Sequence, residues 1–392
     1  MPVYHSLGKT PRKRHQIFRK GPDGALYTEE LMGNMGFVGP SSLLYHVHPP
    51  TAIRAVRTLG DVALKPAPAR PLKHRHFRTA GLTAPGNRVP LLFNTDVTLS
   101  VINAAANAGA NTSANAPNTG PFFRNAQADE IAYVSHGAGQ MHSPFGTLAF
   151  SAGDYLVIPR GIVQQWTFAE AAKLLIIESR GYVRTPKRYR NEYGQLTENA
   201  PYSERDIRRP VDLATRDETG DFPVLVKKDN QLVELMYAHH PFDVIGWDGF
   251  YYPWAFSIHD FEPRVGRFHL PPPIHQTFDS DNFVVCSFCP RPYDFDSTAV
   301  PAPYNHSNVM SDEVLYYANS EFMSRSGIEY GSVTLHPDGL AHGPQPGRTA
   351  KSIGQKATDE LAVMVDTFHP LHVAEPALAM EDEGYWQSWL AT

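Results

Sequence analysis

The chain has 392 residues and is 42% hydrophobic, so it is long enough for two ordinary domains or one large one and can bury a core. Its 35 basic and 40 acidic residues give a formal net charge of -5, and we therefore expect no nucleic acid and no membrane as a partner. The 29 glycines and 34 prolines exceed what a helical bundle tolerates and predict a mainly β fold.

The N-terminal region contains no pattern typical of a signal peptide. The basic stretch 9–20 is not followed by an apolar segment, and we interpret it as a solvated arm. No window of the sequence approaches the roughly 18 apolar residues of a membrane-spanning helix. Cys286 and Cys289 are too few for a disulfide framework and lack a second pair for zinc, so we predict two buried thiols in a cytoplasmic protein.

The first part of the chain contains few long periodic segments. Residues 1–50 mix polar turns with short apolar pieces and predict a β-rich beginning. Residues 65–78, KPAPARPLKHRHFR, are basic and interrupted by proline, which predicts a surface connector rather than a buried strand. Residues 104–120 are almost entirely small or polar and predict an exposed loop without a chemical role.

Two series of short apolar runs follow, and a polar segment at 185–221 separates them. The runs between 130 and 178 and those between 224 and 365 are bounded by Gly, Pro and Asp, which is typical of antiparallel sandwiches or barrels. We therefore predict two β domains, 1–220 and 221–392.

A specific motif lies in the second series. Residues 331–342 fit the pattern G-x5-P-x-G-x2-H, with Gly331, Pro337, Gly339 and His342 at its fixed positions. This is the second signature of the cupin jelly roll. In physical terms, a strand runs into a Pro-Gly turn, and the turn directs the final histidine of the next strand into the barrel.

The first cupin signature has a close counterpart upstream, at His306 and Glu313, although Asn308 stands where a second histidine is usual. Together with His342, these residues predict two imidazoles and one carboxylate that face one point. Such a triad leaves coordination positions open and suits non-haem Fe(II) that binds both a substrate and oxygen. Zinc is the competing metal, because sites of the same composition also serve hydrolysis.

The N-terminal domain carries an altered copy of both signatures. Residues 153–164 keep the glycine and proline spacing but end in Gln164 instead of a histidine. Asn125 and Gln127 stand near the places of the paired histidines, while Glu130 keeps its position. We therefore predict a bicupin of two jelly-roll or β-barrel units, of which only the C-terminal one carries a metal.

The chain resembles the homogentisate 1,2-dioxygenases over most of its length. The similarity is most specific from His240 onward and weaker in the N-terminal half. It is carried by HPFDVIGWDGFYYPW (240–254), FHLPPPIHQTF (268–278), FVVCSFCPRP (283–292), YNHSNVMSDE (304–313) and GSVTLHPDGLAHGP (331–344), and more weakly by YTEELMGNMGF (27–37) and IIESRGYV (176–183).

The resemblance implies an Fe(II)-dependent enzyme that opens the ring of homogentisate with O2 to give maleylacetoacetate, in tyrosine and phenylalanine breakdown. The partners would be a small aromatic substrate and O2, in a homo-oligomer that is a trimer or a hexamer. The metal ligands would be His306, Glu313 and His342. The catalytic residue that handles the phenolic proton would be His269, and His336 with His342 would contact the substrate.

The sequence departs from this family at one position of the expected pocket. Phe322 stands where the family places a tyrosine that holds the substrate. Either a hydroxyl from Tyr316, Tyr317 or Tyr330 replaces it, or the substrate is another hydroquinone-type acid such as gentisate. Two further alternatives are a zinc or manganese bicupin isomerase or hydrolase, and a non-catalytic bicupin that binds a small ligand.

Overall fold

The computed structural model describes residues 3–68, 70–82, 86, 88–107 and 120–390. Residues 108–119 of the predicted exposed loop lie outside the described residues. Strands dominate the described chain, which confirms the prediction of a mainly β fold. None of its helices is long and apolar enough to span a bilayer.

The strands of the first half of the chain are short, and several are almost wholly buried. They are β1 (His5–Gly8), β2 (Thr28–Gly33), β3 (Ser41–His46), β4 (Ile53–Asp61), β5 (Arg75–Arg78), β6 (Arg88–Phe93), β7 (Val97–Ala104), β8 (Phe122–Asn125), β9 (Asp129–His136), β10 (Gly139–Ser143), β11 (Gly146–Phe150), β12 (Asp154–Ile158), β13 (Val163–Phe168) and β14 (Ala172–Ser179).

The second half continues in the same way. Its strands are β15 (Ile207–Arg208), β16 (Thr219–Lys228), β17 (Gln231–His239), β18 (Val244–Gly249), β19 (Trp254–Ser257), β20 (Gln276–Ser280), β21 (Phe283–Phe288), β22 (Arg291–Pro292), β23 (His306–Ser307), β24 (Asp312–Tyr317), β25 (Ser332–His336), β26 (Ala341–His342), β27 (Ala357–Thr358), β28 (Ala362–Thr367) and β29 (His372–Val373). The helices are α1 (Arg348–Ser352) and the 3-10 segments Lys187–Tyr189, Glu204–Asp206, Ile258–Asp260, Pro272–His275, Glu375–Met380 and Tyr385–Trp389.

The chain forms two compact units that alternate along the sequence. The first unit comprises Met1–Ala63, Ala104–Lys173 and Glu204–Phe256, and the second comprises Leu64–Asn103, Leu174–Ser203 and Ser257–Thr392. The sequence prediction instead placed a single boundary near residue 220. The arrangement differs because strand pairing joins segments that are distant in sequence: β16 and β17 form one sheet with β4 and β8.

In the first unit, neighbouring strands follow the orders β11-β10-β13-β8-β16-β17-β4, β1-β18-β3-β2 and β15-β19-β12-β9. Both faces of β12 are buried, as its apolar sequence DYLVI predicts. One core cluster is formed by apolar side chains of β8, β13, β16 and β17 and of the segment between β17 and β18, and it holds Phe122, Val163, Val224, Val226, Tyr237 and Phe242.

In the second unit, strands follow the orders β20-β21-β28-β24-β25-β5 and β14-β7-β6-β29, with two short ribbons, β22-β27 and β23-β26. Alternate residues of β24 point to the same face. Leu315 and Tyr317 therefore lie on the face that carries Glu313, and both belong to a buried apolar cluster with Cys286 and Met364. The cluster gives the carboxylate an apolar surrounding.

The prediction that residues 65–78 form a surface connector is wrong for the last four residues. Arg75–Arg78 forms β5, and Arg75, His76 and Phe77 are buried. The strand pairs with β25, with Arg75 opposite Leu335. A basic sequence can occupy this edge because its charges are paired, as Arg75 is with Glu381 at 2.5 Å.

The two cysteines are free and buried, as predicted. Cys286 lies within β21, and Cys289 follows the end of that strand. Burial raises the pKa of the Cys289 thiol to about 11 and that of Cys286 well above its ordinary value. Both thiols therefore stay protonated near neutral pH and are poor nucleophiles.

A buried histidine in the first unit should make stability depend on pH. His46 lies between two carboxylates, with Nδ1 2.7 Å from Asp243 Oδ1 and Nε2 3.0 Å from Glu30 Oε2. Burial opposes its charged form, but Asp243 and Glu30 raise the pKa of His46 to about 9.

The folded-state pKa of His46 exceeds its unfolded value. The stabilisation that His46 provides is therefore complete below about pH 6.5 and disappears as pH rises through about 9. We expect His46→Gln to lower the free energy of unfolding by on the order of 3 kcal/mol at pH 6 and by far less at pH 10. Urea denaturation at several pH values measures this, with His136→Gln, an exposed site, as the control. A difference that stays constant with pH would contradict it.

Candidate metal centre

The ribbon of β23 and β26 places two histidines side by side. His306 and His342 are direct partners in its register, and their ring centroids are 4.2 Å apart. The turn between β25 and β26 contains Gly339 at φ 74°, and its backbone N–H donates to the carbonyl of Asn308 at 2.8 Å. Gly339 of the signature thus holds the turn before His342 through a backbone hydrogen bond to Asn308.

Glu313 on β24 completes the group. Its Oε2 lies 3.7 Å from His306 Nε2 and 3.5 Å from His342 Nε2. These separations exceed the roughly 2.7–3.2 Å of a good hydrogen bond. All three ligand atoms lie within 4.8 Å of one another, which is the arrangement of groups around a common ion. The structure therefore brings together His306, Glu313 and His342.

The second ring nitrogens of both histidines face backbone carbonyls. His306 Nδ1 lies 3.4 Å from the Tyr304 oxygen, and His342 Nδ1 lies 3.3 Å from the Leu340 oxygen. Since a carbonyl can only accept, these contacts favour the tautomer with the proton on Nδ1, which leaves the lone pair on Nε2. His342 Nε2 is buried without a hydrogen-bond partner, so the residues present fit a divalent metal.

His336 lies behind the carboxylate. Its Nδ1 is 2.7 Å from Glu313 Oε1, and its Nε2 is 3.5 Å from the Arg325 guanidinium. Burial and the charge of Arg325 lower the pKa of His336 to about 3, so the ring is neutral and donates from Nδ1 to Glu313. Burial also opposes ionisation of Glu313, but its neighbouring imidazoles hold the pKa of the carboxyl well below its usual range.

A cavity opens beside His306 and Glu313. It encloses about 860 Å³ of space, part of it open to solvent. Its lining includes the apolar side chains of Leu315, Phe288, Phe322 and Met364, and the polar side chains of His269, His275, Tyr293, Asp294, Arg264, Arg291, Arg325 and Glu360. A lining of this composition suits an aromatic ring with polar substituents.

His269, the predicted catalytic residue, lines this cavity. Its Nε2 is buried and has no hydrogen-bond partner among the described residues. Its ring centroid is 5.0 Å from that of Tyr304. Burial is the main cause that lowers the pKa of His269, and so the ring is neutral near pH 7 and able to accept a proton.

Phe322 also lines the cavity, and its ring packs against Phe288 at 5.9 Å. The described lining does not include Tyr316, Tyr317 or Tyr330, the side chains considered as replacements for the missing hydroxyl. Tyr317 lies in the apolar core, where its hydroxyl is 3.1 Å from Thr334 Oγ1. The lining also omits His336 and His342, whose contact with the substrate stays a prediction.

Several residues of the centre carried no signal in the sequence. Arg325 donates to the carbonyl of Gly343 at 2.7 Å, and the indole of Trp389 donates to the same oxygen at 3.1 Å. His74 packs at 4.9 Å against Trp389 and at 5.5 Å against His336. These side chains come from distant segments, and no spacing rule connects them with the metal motif.

In the first unit, the residues of the altered cupin signatures make hydrogen bonds with amide groups. Glu130 receives Asn125 Nδ2 on one oxygen at 3.0 Å and Gln164 Nε2 on the other at 2.8 Å. The side chain of Gln127 has a different partner: its Oε1 accepts from the backbone N–H of Asn230 at 2.9 Å. Amide groups thus donate to both carboxylate oxygens of Glu130. Among the described residues, the group of side chains that could hold a metal lies in the second unit.

The Glu130 contacts should matter for stability. We expect Gln164→Leu to lower the free energy of unfolding by about 1–3 kcal/mol, because the buried carboxylate of Glu130 would lose the hydrogen bond that Gln164 donates. Gln164→Glu should be more harmful, since it would place two buried carboxylates together. Thermal denaturation measures both variants, with the exposed Gln195→Leu as the control. Unchanged stability of both variants would contradict the assigned role of Gln164.

Comparison with known proteins reveals relatives along the whole chain. A sequence profile described as homogentisate 1,2-dioxygenase N-terminal matches residues 25–258. A protein from Saccharolobus solfataricus named a "putative dioxygenase" is 41% identical over 397 aligned positions, which cover 99% of both chains.

Named homogentisate 1,2-dioxygenases match more distantly. The enzyme from Emericella nidulans is 29% identical over 57% of this chain and 51% of its own length. That from Rhodopseudomonas palustris is 26% identical over 68% of this chain and 62% of its own length. Among solved structures, a cupin 2 conserved barrel domain protein from Leptotrichia buccalis is 10% identical over 73% of this chain and 91% of its own, with a TM-score of 0.30.

Proposed function

The chain belongs to the homogentisate 1,2-dioxygenase family, and on that premise we propose that it is an Fe(II)-dependent dioxygenase that cleaves an aromatic ring. The proposed reaction converts homogentisate and O2 to 4-maleylacetoacetate. The observation that carries the proposal is the convergence of His306, Glu313 and His342 beside a cavity whose lining includes apolar side chains.

These three residues would hold the iron. Bound there, Fe(II) would supply open coordination positions for the phenolic oxygen of the substrate and for O2. The protein contributes the orientation of its ligands. His336 holds Glu313 through Nδ1, and Arg325 lies beside His336, so that the carboxylate is supported from behind.

His269 would act as the general base. It is neutral near pH 7, it lines the cavity, and its Nε2 has no hydrogen-bond partner among the described residues. A neutral imidazole can take the phenolic proton as the substrate binds and return a proton when the ring opens. The apolar side chains of the cavity, such as Phe288 and Phe322, would pack against the substrate ring and exclude water from it.

Oxygen consumption tests this proposal directly. Protein purified without oxygen and loaded with Fe(II) is mixed with homogentisate, and gentisate and hydroquinone are run beside it. Rapid uptake with homogentisate supports the proposed reaction. Uptake only with another dihydroxybenzene would reassign the substrate, and bound iron without uptake for any of them would overturn the dioxygenase function in favour of an isomerase or a binding protein.

Phe322 favours a second candidate substrate. Since a phenyl ring cannot hydrogen-bond the group that a tyrosine would hold, the pocket also suits a related hydroquinone-type acid such as gentisate. The comparison of initial rates for the two acids distinguishes these candidates.

Family membership also supports a proposed homo-oligomer, either a trimer or a hexamer. The two free, buried thiols suit the cytoplasm, which we propose as the compartment. Analytical ultracentrifugation measures the assembly, and a monomer at micromolar concentration would contradict it.

A further inference from the structure

We propose that Arg264 binds the carboxylate of the substrate and so makes the enzyme selective for aromatic acids. This inference rests on the proposed function, because it concerns the cavity beside the candidate metal centre. Arg264 lines that cavity together with His269, Glu313 and Phe322. A guanidinium matches the geometry of a carboxylate with two parallel hydrogen bonds.

Among the cationic groups of the cavity, Arg264 is the one that is available. Arg291 already forms an ion pair with Glu360, at 2.9 Å. Arg325 is only 4% exposed, and it is engaged with the Gly343 carbonyl and lies over the ring of Trp389. The side chain of Arg264 is exposed, and none of the described residues forms an ion pair or a hydrogen bond with it.

The backbone around Arg264 is held in place on both sides. The N–H of Glu262 donates to the Pro201 carbonyl at 2.7 Å. Two residues beyond Arg264, the N–H of Gly266 donates to Asp294 Oδ1 at 3.1 Å, and its carbonyl accepts from the N–H of Phe295 at 3.1 Å. The segment that carries Arg264 also carries His269. One anchored segment thus supplies both a cation and a base to the cavity.

The apolar side chains of the cavity explain why such a cation is needed. Phe322 offers no hydrogen-bond donor, and its neighbours Phe288, Leu315 and Met364 are apolar as well. A carboxylate placed against these side chains would lose its hydration without compensation. A carboxylate that reaches Arg264 instead remains paired, while the ring of the substrate packs against the apolar side chains.

Equilibrium binding separates this role from catalysis. Homogentisate and 2-methylhydroquinone are titrated into the Fe(II)-loaded protein without oxygen, with calorimetry as the readout. The two ligands share the hydroquinone ring and differ in the carboxylate. Arg264→Gln should weaken homogentisate binding by roughly 10- to 100-fold and leave 2-methylhydroquinone binding within about twofold. Arg264→Lys should restore part of the affinity, since it keeps the charge but not the bidentate geometry.

Arg267→Gln is the matched control. It removes a guanidinium from the same segment, where Arg267 Nε donates to Asp296 at 3.0 Å, and it should change neither affinity. Equal losses for both ligands in Arg264→Gln, no loss for either, or a wild type without preference for the acid would each overturn the role of Arg264. Acid-selective binding without oxygen uptake would instead support Arg264 and overturn the proposed dioxygenase function.

Discussion

Glu313→Ala is expected to abolish turnover and to remove most of the bound metal. The carboxylate lies within 3.7 Å of Nε2 of both histidines. Its removal would leave a metal with two neutral imidazole ligands and no negatively charged one. Because changes to residues that merely support a metal ligand typically cost 10- to 100-fold, we expect a loss of more than about 100-fold in turnover. Elemental analysis and oxygen uptake measure the two effects.

Glu313→Gln keeps the size of the side chain and controls for a void in the core. It should also lose metal, since a neutral amide is a weak ligand. The control is Glu321→Ala, which removes an exposed carboxyl that follows Glu313 in the chain. This variant should retain both metal and activity. His306→Ala and His342→Ala should behave like Glu313→Ala. Full metal content and full turnover in any of these three alanine variants would show that the ligand assignment is wrong.

His269→Ala is expected to retain the metal and lose about 10²- to 10⁴-fold in turnover, the range for removal of a general acid–base group. The reason is that His269 lines the cavity but is not a member of the metal-binding group. Single-turnover kinetics on iron-loaded protein measures the loss. Elemental analysis of the same sample shows whether the metal is still bound.

His259→Ala is the control for this variant. His259 is exposed on the preceding 3-10 helix, and the alanine variant should match the wild type in both measurements. Unchanged kinetics in His269→Ala would remove His269 from the mechanism. Loss of metal in that variant would assign it a structural role at the centre instead.

Much of the metal centre could be predicted from the sequence. The spacing from Gly331 to His342 describes a strand, a turn and a returning strand, and such local geometry follows from residue types alone. Glu313 and His306 precede it in the order that the fold requires. Gln164 in place of a histidine predicted a first unit without a metal, and only the structure shows that this amide donates to Glu130 instead.

Other features follow only from the pairing of distant segments. The stretch 65–78 looks like a surface connector, yet its end becomes β5 because β25 offers an open edge. Likewise, residues near 240 join the first unit, since β17 pairs with β4. No local composition encodes such a partner, because the hydrogen bonds of an edge strand are made with whichever backbone is brought beside it.

The sequence by itself determined the mainly β class and the spacing that brings together His306, Glu313 and His342, because both depend on residue types at short, regular intervals. The tertiary structure decided what surrounds those ligands. Arg325 and Trp389 meet at the carbonyl of Gly343, and Arg264 enters the cavity from a segment more than 40 residues before His306 in chain order. Charge and burial at a site are sums over neighbours from the whole chain, and only the folded chain defines those neighbours.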